Sequence, residues 1–529
     1  MGEMRGNLDK KTDISWQEQL LNEVVFLYGV FVTVVFPILF HDRYNDILHA
    51  KAAAFDYVSI GAILFCGIVI ISYLFSIRKL QDKKLKDYLK DLSIIDKFII
   101  VFMFATTISF LINPNKYNTF WGVDGRRIGY LALMICGVSY FLYSRYLKDI
   151  DLLMILTFLA AVFISLIAIA NHLGFDPLDM FVTMPKESQL ISTLGNRDCL
   201  AGYIILLWPV SMFYIFKSPK KLLRIISWIY LLISFAAVVA AMCDSAYIAI
   251  FIIALVSLCF VFDNYKSLIG YCYIFLSFFA VHIVMKYLRN VREEYAWKAE
   301  GITEFLINNV WILALATVFF LLMAVFFTIM KKKEIDIGKF KVLRIIVWIA
   351  AFISIAFLIG LMIYVSSKYE SKAECKEVFG TLANYIYFDE SFGSSRGRIW
   401  NIALKTFLAM PFINKIFGYG PAGFRYALVE FLEESVYTFK SGRLIDAHNE
   451  FLQYLVTLGI FGIISYFGIF ISAIIRFAKN RKKDFLVAGA LVTTAAFLSQ
   501  GIINNTHIYI EPLLFLLLAI AEAKIREVK

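Results

Sequence analysis

The chain has 529 residues, of which 60% are hydrophobic, and a mean hydropathy of +0.73. Apolar runs of about 18 residues or more recur from end to end, each long enough to cross roughly 30 Å of hydrocarbon. These runs do not alternate apolar and polar residues, which excludes a transmembrane β-barrel. The formal charge of +11 gathers in short loops rather than in a basic stripe with exposed aromatic residues, so no nucleic-acid partner is expected.

Cysteine usage and the first residues carry little further information. The seven cysteines show no CxxC or Cys/His spacing, so they predict neither a disulfide framework nor a metal site. The polar start MGEMRGNLDKKTDISWQEQ lacks the apolar core and cleavage site of a signal peptide. We expect the N-terminus to be retained.

The apolar runs predict an all-α polytopic membrane protein with about fourteen spans. They lie near 20–40, 54–77, 94–112, 128–147, 151–171, 199–217, 225–243, 245–262, 267–288, 304–330, 342–365, 450–476, 485–504 and 508–524. Basic residues concentrate in alternate loops, at 78–90, 217–224, 331–341 and 479–483. This asymmetry predicts cytoplasmic termini and one large extracytoplasmic loop, 366–449. Twelve spans would satisfy the same rule if one pair is re-entrant.

The predicted organisation has three parts, which are an N-terminal bundle (1–365), the large loop (366–449) and C-terminal spans (450–529). Two more loops on the same predicted side, 113–129 and 172–202, also end in arginine or histidine close to a span. Groups from all three loops could therefore converge on one cavity at the outer face.

Within the large loop, residues 394–411 predict an amphipathic helix stopped by Pro411. Its apolar positions are Ile399, Ile402, Ala403, Phe407 and Met410. Ser394 or Ser395 is the expected cap, which places Arg396 and Arg398 near the helix start. Two guanidiniums beside free backbone N–H groups suit a phosphate. The alternative is a surface helix whose arginines lie at the lipid headgroups.

The next segment, FGYGPAGF (417–424), is rich in glycine. Gly418, Gly420 and Gly423 allow positive φ or a close approach of the backbone to a ligand. The segment lacks the context of a nucleotide-binding loop, so by itself it predicts only a turn.

His448 lies in AHNEF, directly before a predicted span. A neutral imidazole at the membrane edge can accept a proton from a hydroxyl group. On a continuous helix, Gly459 would lie under His448 three turns deeper and let a neighbouring helix pack closely. The alternative is a structural histidine at the interface.

Several charged residues stand at the ends of other spans. Arg126, Arg127 and Arg197 fit the usual pattern of arginines that extend to the membrane interface. Asp244 lies in a short turn near the predicted outer boundary, where ionisable groups are often functional.

The order of these motifs resembles the O-antigen ligase/polymerase superfamily. They are Gly-Asn-Arg-Asp (195–198) with Leu-Ala-Gly-Tyr, Ser-Arg-Gly-Arg-Ile-Trp (395–400), Phe-Gly-Tyr-Gly (417–420), and His-Asn-Glu-Phe-Leu (448–452) with Leu-Gly-Ile at 458–460. Its members are bacterial membrane glycosyltransferases that take a glycan from an undecaprenyl-pyrophosphate carrier. The resemblance covers roughly residues 20–520, and its most specific part is 391–462.

The resemblance implies a GT-C-like enzyme of the bacterial cytoplasmic (inner) membrane, with its active site outside and no cofactor. His448 would activate the acceptor hydroxyl, and Arg398 would bind the carrier pyrophosphate with Arg396 and Arg197. The transfer would be inverting and metal-independent. Residues implied in supporting roles are Asn196, Asp244, Trp400, Gly418, Gly420, Asn449 and Gly459.

The sequence departs from the superfamily at Asp244, where relatives usually carry an arginine. Either Arg197 or Arg396 supplies the missing charge, or the donor differs, or the activity is altered. Asp244 is also a candidate to orient His448.

The motifs leave open whether the protein is a ligase, a polymerase or a protein O-oligosaccharyltransferase, and whether its acceptor is a lipid, a glycan or a protein. The rival class is a flippase for lipid-linked oligosaccharides, which should show paired repeats and charges at the midplane of its spans. The long outer loop and the charges at the outer edge favour an enzyme.

Overall fold

A computed structural model describes residues 15–76, 91–122, 126–182, 189–439, 442–505 and 507–527. Most of the predicted polar start and the whole basic loop 78–90 lie outside the described residues. The side chain of Ser394, one of the two predicted helix caps, is likewise not described.

The helices of the first half, in chain order, are α1 (Trp16–Ile38, including a π-helical stretch, Phe31–Val35), α2 (Arg43–Ser76), α3 (Ile94–Ile112), α4 (Lys116–Trp121), α5 (Tyr130–Tyr146), α6 (Ile150–His172), α7 (Arg197–Lys217), α8 (Lys221–Ala241), α9 (Asp244–Val261) and α10 (Tyr265–Val291).

The second half continues with α11 (Gly301–Asn308), α12 (Val310–Lys332), α13 (Lys341–Lys368), α14 (Lys372–Phe379), α15 (Ala383–Ile386), α16 (Phe392–Ala409), α17 (Phe412–Phe417), α18 (Phe424–Phe431), α19 (Glu434–Tyr437), α20 (Glu450–Asn480), α21 (Phe485–Gln500) and α22 (Glu511–Glu527). Two 3₁₀ turns, Ile337–Phe340 and Gly380–Leu382, precede α13 and α15. Two short strands, β1 (Thr438–Phe439) and β2 (Gly442–Arg443), pair antiparallel.

A helix lies at each of the fourteen predicted spans, which confirms an all-helical polytopic membrane protein. Within the described residues, eleven helices are long and apolar enough to cross a membrane. The other three predicted spans correspond to α5, α21 and α22, of 17, 16 and 17 residues. At about 1.5 Å per residue these helices measure only some 25 Å, less than the roughly 30 Å of the bilayer core. The exact number of spans stays a prediction.

A helix lies at the predicted span 450–476, but the continuous helix that the spacing of His448 and Gly459 assumed is not found, because α20 folds back on itself. Gly459 has φ 69° and ψ −171°, which breaks the helix into a first arm (450–458) and a second arm (460–480). The rings of Phe451 and Phe467 stack with centroids 4.1 Å apart, and those of Tyr454 and Tyr466 lie equally close. Sixteen residues of straight helix would span about 24 Å, so these contacts require an acute angle between the arms.

The break is stabilised by hydrogen bonds from outside α20. The carbonyls of Val456 and Thr457, just before the break, accept from the Tyr419 N–H at 3.0 Å and from the Ser109 hydroxyl at 2.8 Å. Since a helix terminus leaves carbonyls without intrahelical donors, these bonds satisfy groups that the break would otherwise leave unpaired. The fold thereby packs Phe451, three residues after His448, against the second arm about 12 Å along its axis from the break.

An ion-pair network ties the bundle together at the end of α20 and α22 far from the break. Asp96 accepts from Arg145 at 2.8 Å and from Arg526 at 2.6 Å, while Arg476 and Arg526 both bind Glu522 at 2.6 and 2.9 Å. The two carboxylates are fully buried. Paired in this way, they lock four helices, α3, α5, α20 and α22, in register.

The amphipathic helix of the large loop is confirmed as α16. Its positions Ile399, Ile402, Ala403 and Met410 are buried in a cluster of their own, and Phe407 packs against it. Its start differs from the prediction, because the helix begins at Phe392 rather than at a serine cap at 394 or 395. Gly393 and Ser395 have positive φ, so the first turn is irregular.

Gly459→Ala should destabilise the protein, because a Cβ there would lie 2.4 Å from the Ile416 carbonyl oxygen on a backbone with positive φ. We expect a loss of about 2 kcal/mol or more in the free energy of unfolding. Thermal unfolding of the purified protein in detergent measures it. Gly360→Ala is the control, since its Cβ would meet nothing within 4 Å, and equal stability of the two variants would contradict the packing argument.

Candidate active site

A polar cavity of about 470 Å³ lies where the starts of α7, α9, α11 and α16 meet the large loop. It is lined by Arg197, Asp198, Met242, Cys243, Asp244, Ser245, Glu300, Gly301, Lys372, Asn384, Tyr385, Ser391, Gly393, Arg396, Ile399 and His448. Four residues singled out from the sequence, Arg197, Asp244, Arg396 and His448, therefore face one space. Two of the three outer loops that were predicted to converge, 172–202 and 366–449, contribute residues to this cavity, whereas 113–129 contributes none to its lining.

His448 is held in an unusual backbone conformation by Asp446. Its φ is +44°, and its backbone N–H donates to Asp446 Oδ1 at 3.0 Å. The imidazole Nδ1 lies 3.5 Å from the same carboxylate and 3.5 Å from a guanidinium nitrogen of Arg126. Arg126 Nε binds Asp446 Oδ2 at 3.0 Å, and Asn505 Nδ2 binds Oδ1 at 2.9 Å. The buried Asp446 carboxylate is thus the centre from which the histidine is oriented.

Burial and charge set the protonation states of this pair. Burial lowers the pKa of His448, and Arg126 and Arg396 lower it further, against the opposing effect of Asp446. Burial alone would raise the pKa of Asp446, but the Arg126 ion pair, His448 and their hydrogen bonds outweigh burial and lower it to about 2. At neutral pH the site therefore combines a neutral imidazole, one-third exposed, with an ionised carboxylate.

The cations of the cavity differ in how they are already used. Arg197 forms an ion pair with Glu300 at 2.7 Å. Arg396 donates only to the Gly393 carbonyl at 3.0 Å, and its buried Nε has no hydrogen-bond partner among the described residues. Lys372 donates to the Ser391 hydroxyl at 3.1 Å. Within the described part of the chain, neither Arg396 nor Lys372 pairs with a carboxylate, so both remain available to an anion.

Asp244 does not orient His448, which corrects one of the expectations from the sequence. Its Oδ1 accepts from the Ile302 N–H at 2.8 Å, at the start of α11, and its Oδ2 lies 3.3 Å from the Tyr385 hydroxyl. Asp244 therefore joins α9 to α11 and to the large loop. The carboxylate that faces the histidine is Asp446.

Two predicted residues of α16 lie away from the cavity lining. Arg398 donates to the Val436 carbonyl at 3.3 Å. Trp400 packs near Phe388 and Phe392, with ring centroids 6.4 and 6.2 Å away. Both face the interior of the large loop, where they support the start of α16.

The two predicted asparagines are helix caps. Asn196 accepts from the Asp198 and Cys199 N–H groups at the start of α7. Asn449 accepts from the Leu452 N–H at 2.9 Å and donates to the Ile502 carbonyl at 2.6 Å. Because Asn196 and Asn449 adjoin Arg197 and His448, the two caps fix the backbone positions of those residues.

The glycine-rich segment 417–424 packs closely against other residues of the protein, namely Thr457 and Asn113. A Cβ on Gly418 would lie 2.2 Å from the Thr457 carbonyl oxygen, and one on Gly420 would lie 2.6 Å from the Asn113 amide nitrogen. Gly418, Gly420 and Gly459 all have positive φ. The predicted close packing at Gly459 is therefore found, but its partner is the backbone of 416–418 and the helix is interrupted there.

Below the histidine, two buried carboxyl groups meet at one phenol. The Tyr466 hydroxyl lies 3.0 Å from Glu450 Oε1 and 2.9 Å from Glu511 Oε1. A hydroxyl has a single proton, so one of the two contacts needs a proton from a carboxyl group. Through these two contacts, the Tyr466 hydroxyl on the second arm of α20 links the first arm, which carries Glu450, to α22, which carries Glu511.

Sequence reasoning missed Asp446, Asn505 and Lys372, and treated Arg126 as an ordinary arginine at a span end. Asp446 could have been found from its place two residues before His448. Arg126 and Asn505 are separated from it by 320 and 59 residues, so only the fold brings them together. Among the described residues, no group of three or more histidine, cysteine or acidic side chains could hold a metal ion.

The helices define a polytopic membrane protein, and the polar cavity is its candidate site. Residues 311–467 match the family model described as O-antigen ligase, and this match supports the O-antigen ligase/polymerase superfamily. The matched range contains Arg396, Arg398, His448 and Gly459, whereas Arg126, Arg197 and Asp244 precede it. No curated protein matches the chain. The chain is thus a multi-pass membrane protein in which residues 311–467 are similar to the O-antigen ligase domain.

Asp446→Asn should cost about 2 kcal/mol of stability at pH 7, because the pKa of the carboxyl lies near 2 in the folded state against an ordinary 3.8. A lowered pKa stabilises the fold above about pH 4, and this contribution is lost as the pH falls from 4 to 2. Thermal unfolding in detergent from pH 7 to pH 3 should show the gap to wild type narrowing. The exposed Asp263→Asn serves as control, and a gap independent of pH would contradict the assignment.

Proposed function

We propose that the protein transfers a glycan from an undecaprenyl-pyrophosphate carrier to an acceptor hydroxyl, in the assembly of a cell-surface polysaccharide. The observation that carries the proposal is the placement of His448 in one cavity with Arg396, whose guanidinium pairs with no carboxylate among the described residues. One group can take a proton and the other can bind an anion. The domain match and the motif order support the same reaction class.

His448 is proposed as the general base. In the tautomer that carries its proton on Nδ1, this nitrogen faces Asp446 Oδ1 at 3.5 Å and Nε2 is free to take a proton, while Arg126 holds the carboxylate in place. The acceptor oxygen attacks the anomeric carbon and gives its proton to Nε2. The bond from that carbon to the pyrophosphate breaks, the pyrophosphate leaves with the electron pair, and the anomeric configuration inverts. As the resemblance implies, this transfer is metal-independent.

Arg396 is proposed as the direct ligand of the pyrophosphate, with Lys372 beside it. The resemblance assigns this role first to Arg398, but the contacts of Arg398 favour a positioning role, since it donates to the Val436 carbonyl behind the helix start. Arg197, paired with Glu300, completes the cationic side of the cavity. These cations also offer a replacement for the arginine that relatives carry at the position of Asp244.

The division into an N-terminal bundle (1–365), a catalytic loop (366–449) and C-terminal helices (450–529) is kept as part of the proposal. All three parts contribute to the site, through Arg126, Arg396 and Asn505 respectively. With cytoplasmic termini, as the loop charges predict, the cavity opens on the extracytoplasmic side of the bacterial inner membrane. The acceptor is a lipid, a glycan or a protein that enters from there.

His448→Ala should abolish glycan transfer while the protein still folds and reaches the membrane. Membranes supplied with undecaprenyl-pyrophosphate-linked glycan are assayed for product, and the exposed His41→Ala is the matched control. Because the pKa of His448 is lowered, the transfer rate of the wild type should fall only below the usual histidine range near pH 6.5. Product chain length then separates a polymerase from a ligase.

Equal transfer by wild type and His448→Ala would show that the histidine is structural. Accumulation of donor on the cytoplasmic side in cells that lack the protein would instead establish the flippase. Accumulation at the outer face agrees with a transferase.

Arg396→Gln should raise the KM for the lipid-linked donor about tenfold, because a charge-assisted contact to phosphate contributes roughly 1.5 kcal/mol or more. Arg398→Gln should affect the KM less and lower thermal stability more, since its guanidinium binds the Val436 carbonyl within the loop. Steady-state kinetics with purified donor and unfolding curves separate the two effects. A larger KM change for Arg398→Gln than for Arg396→Gln would assign the binding of the pyrophosphate to Arg398 instead.

A further inference from the structure

A second cavity lies at the end of the bundle remote from the candidate active site. It measures about 410 Å³ and is lined by Cys259, Arg344, Ile345, Trp348, Ile349, Phe352 and Arg481. Helix α9 begins at the active-site cavity with Asp244 and reaches Cys259 near its other end, and Arg481 follows the last residue of α20. On the orientation that the loop charges predict, this second cavity, the arginine crevice, opens at the cytoplasmic leaflet.

The wall of the arginine crevice is apolar and faces the surroundings of the bundle. Ile345, Ile349 and Phe352 of α13 are 53%, 53% and 63% exposed. Only 6% of the most apolar part of the span that contains α13 is buried inside the fold. Trp348 also lines the crevice, and tryptophan is enriched at the boundary between hydrocarbon and headgroups. In a membrane protein, such a surface contacts lipid chains.

Two guanidiniums lie at the rim of this apolar wall without an anionic partner. Arg344 is half-buried and makes one long contact, 3.5 Å, to the Cys259 carbonyl. Arg481 is exposed, and its guanidinium lies 5.8 Å from the centre of the Phe260 ring. No carboxylate lines the crevice or pairs with either arginine within the part of the chain that the structure describes. The crevice therefore offers two positive charges above a hydrophobic groove.

We propose that the arginine crevice binds an anionic phospholipid, with the phosphate between Arg344 and Arg481 and an acyl chain along Ile345, Trp348 and Ile349. Basic pockets between helices on the cytoplasmic side suit anionic headgroups, because guanidiniums bind phosphate oxygens in pairs and the leaflet supplies the chain. A soluble anion would fill only the rim and leave the apolar wall uncovered. This site is separate from the active-site cavity and does not depend on the proposed reaction.

The test measures lipid binding to the purified full-length protein in detergent by native mass spectrometry. Phosphatidylglycerol should bind much more tightly than phosphatidylcholine, and Arg344→Gln/Arg481→Gln should weaken it roughly thirtyfold through the loss of two charges near the surface. Lys331→Gln/Lys332→Gln removes the same charge from the end of α12, outside the crevice, and should leave the binding unchanged.

Three outcomes would overturn the proposal. If the lysine variant weakens binding as much as the arginine variant, the effect is one of general electrostatics. If the two lipids bind equally, the crevice is only an apolar surface. If millimolar inorganic phosphate displaces the lipid, the ligand is a soluble anion. If the double variant Arg344→Gln/Arg481→Gln does not fold, a second measurement tests the same proposal. Brominated phosphatidylglycerol should quench the fluorescence of the wild type more than that of Trp348→Phe, and equal quenching would place the lipid elsewhere.

Discussion

The break in α20 at Gly459 is the constraint on which the rest of the site depends. A straight helix would have carried His448 to the end of a span, away from the bundle. The acute turn instead folds the first arm back, so that Phe451 stacks on Phe467 and His448 enters a recess. The turn requires glycine at two facing positions, Gly418 and Gly459, because each Cβ would collide with the backbone of the other strand of chain. It also requires donors for the freed carbonyls, which the Tyr419 N–H and Ser109 supply.

The starts or ends of three short helices contribute to the surroundings of the site. Arg126 lies before α5, Gly501 directly follows α21, and Glu511 is the first residue of α22. These segments close the space around Asp446 and Glu450 through bonds such as that between the Glu450 N–H and the Gly501 carbonyl, at 2.8 Å. Asp446 and Glu450 are thus buried inside the protein, where their carboxyl groups do not face lipid.

Charge is distributed in the site so that each group has one role. Asp446 is ionised because Arg126 binds it, and His448 is neutral because burial and two nearby arginines disfavour its protonated form. Arg197 is neutralised by Glu300, whereas Arg396 has no such partner in the described residues. The cavity therefore holds a neutral imidazole and a cation without a carboxylate partner among the described residues, and the proposed transfer from a phosphate-linked donor uses both.

The amino-acid sequence by itself determined the class of protein, the helix at each predicted span, the amphipathic face of α16 and the resemblance to the O-antigen ligase/polymerase superfamily, which the match over residues 311–467 supports. These features are local, because hydropathy over about twenty residues and short motifs decide them. The sequence also selected His448, Arg396, Arg197 and Asp244, which do meet in one cavity. Only the tertiary structure decided that Arg398 binds the Val436 carbonyl and that Asp446 rather than Asp244 faces the histidine. It also decided that Arg126 and Asn505 hold the Asp446 carboxylate. These contacts join residues up to 320 positions apart across a broken helix, and helical periodicity along the chain carries no information about such pairs.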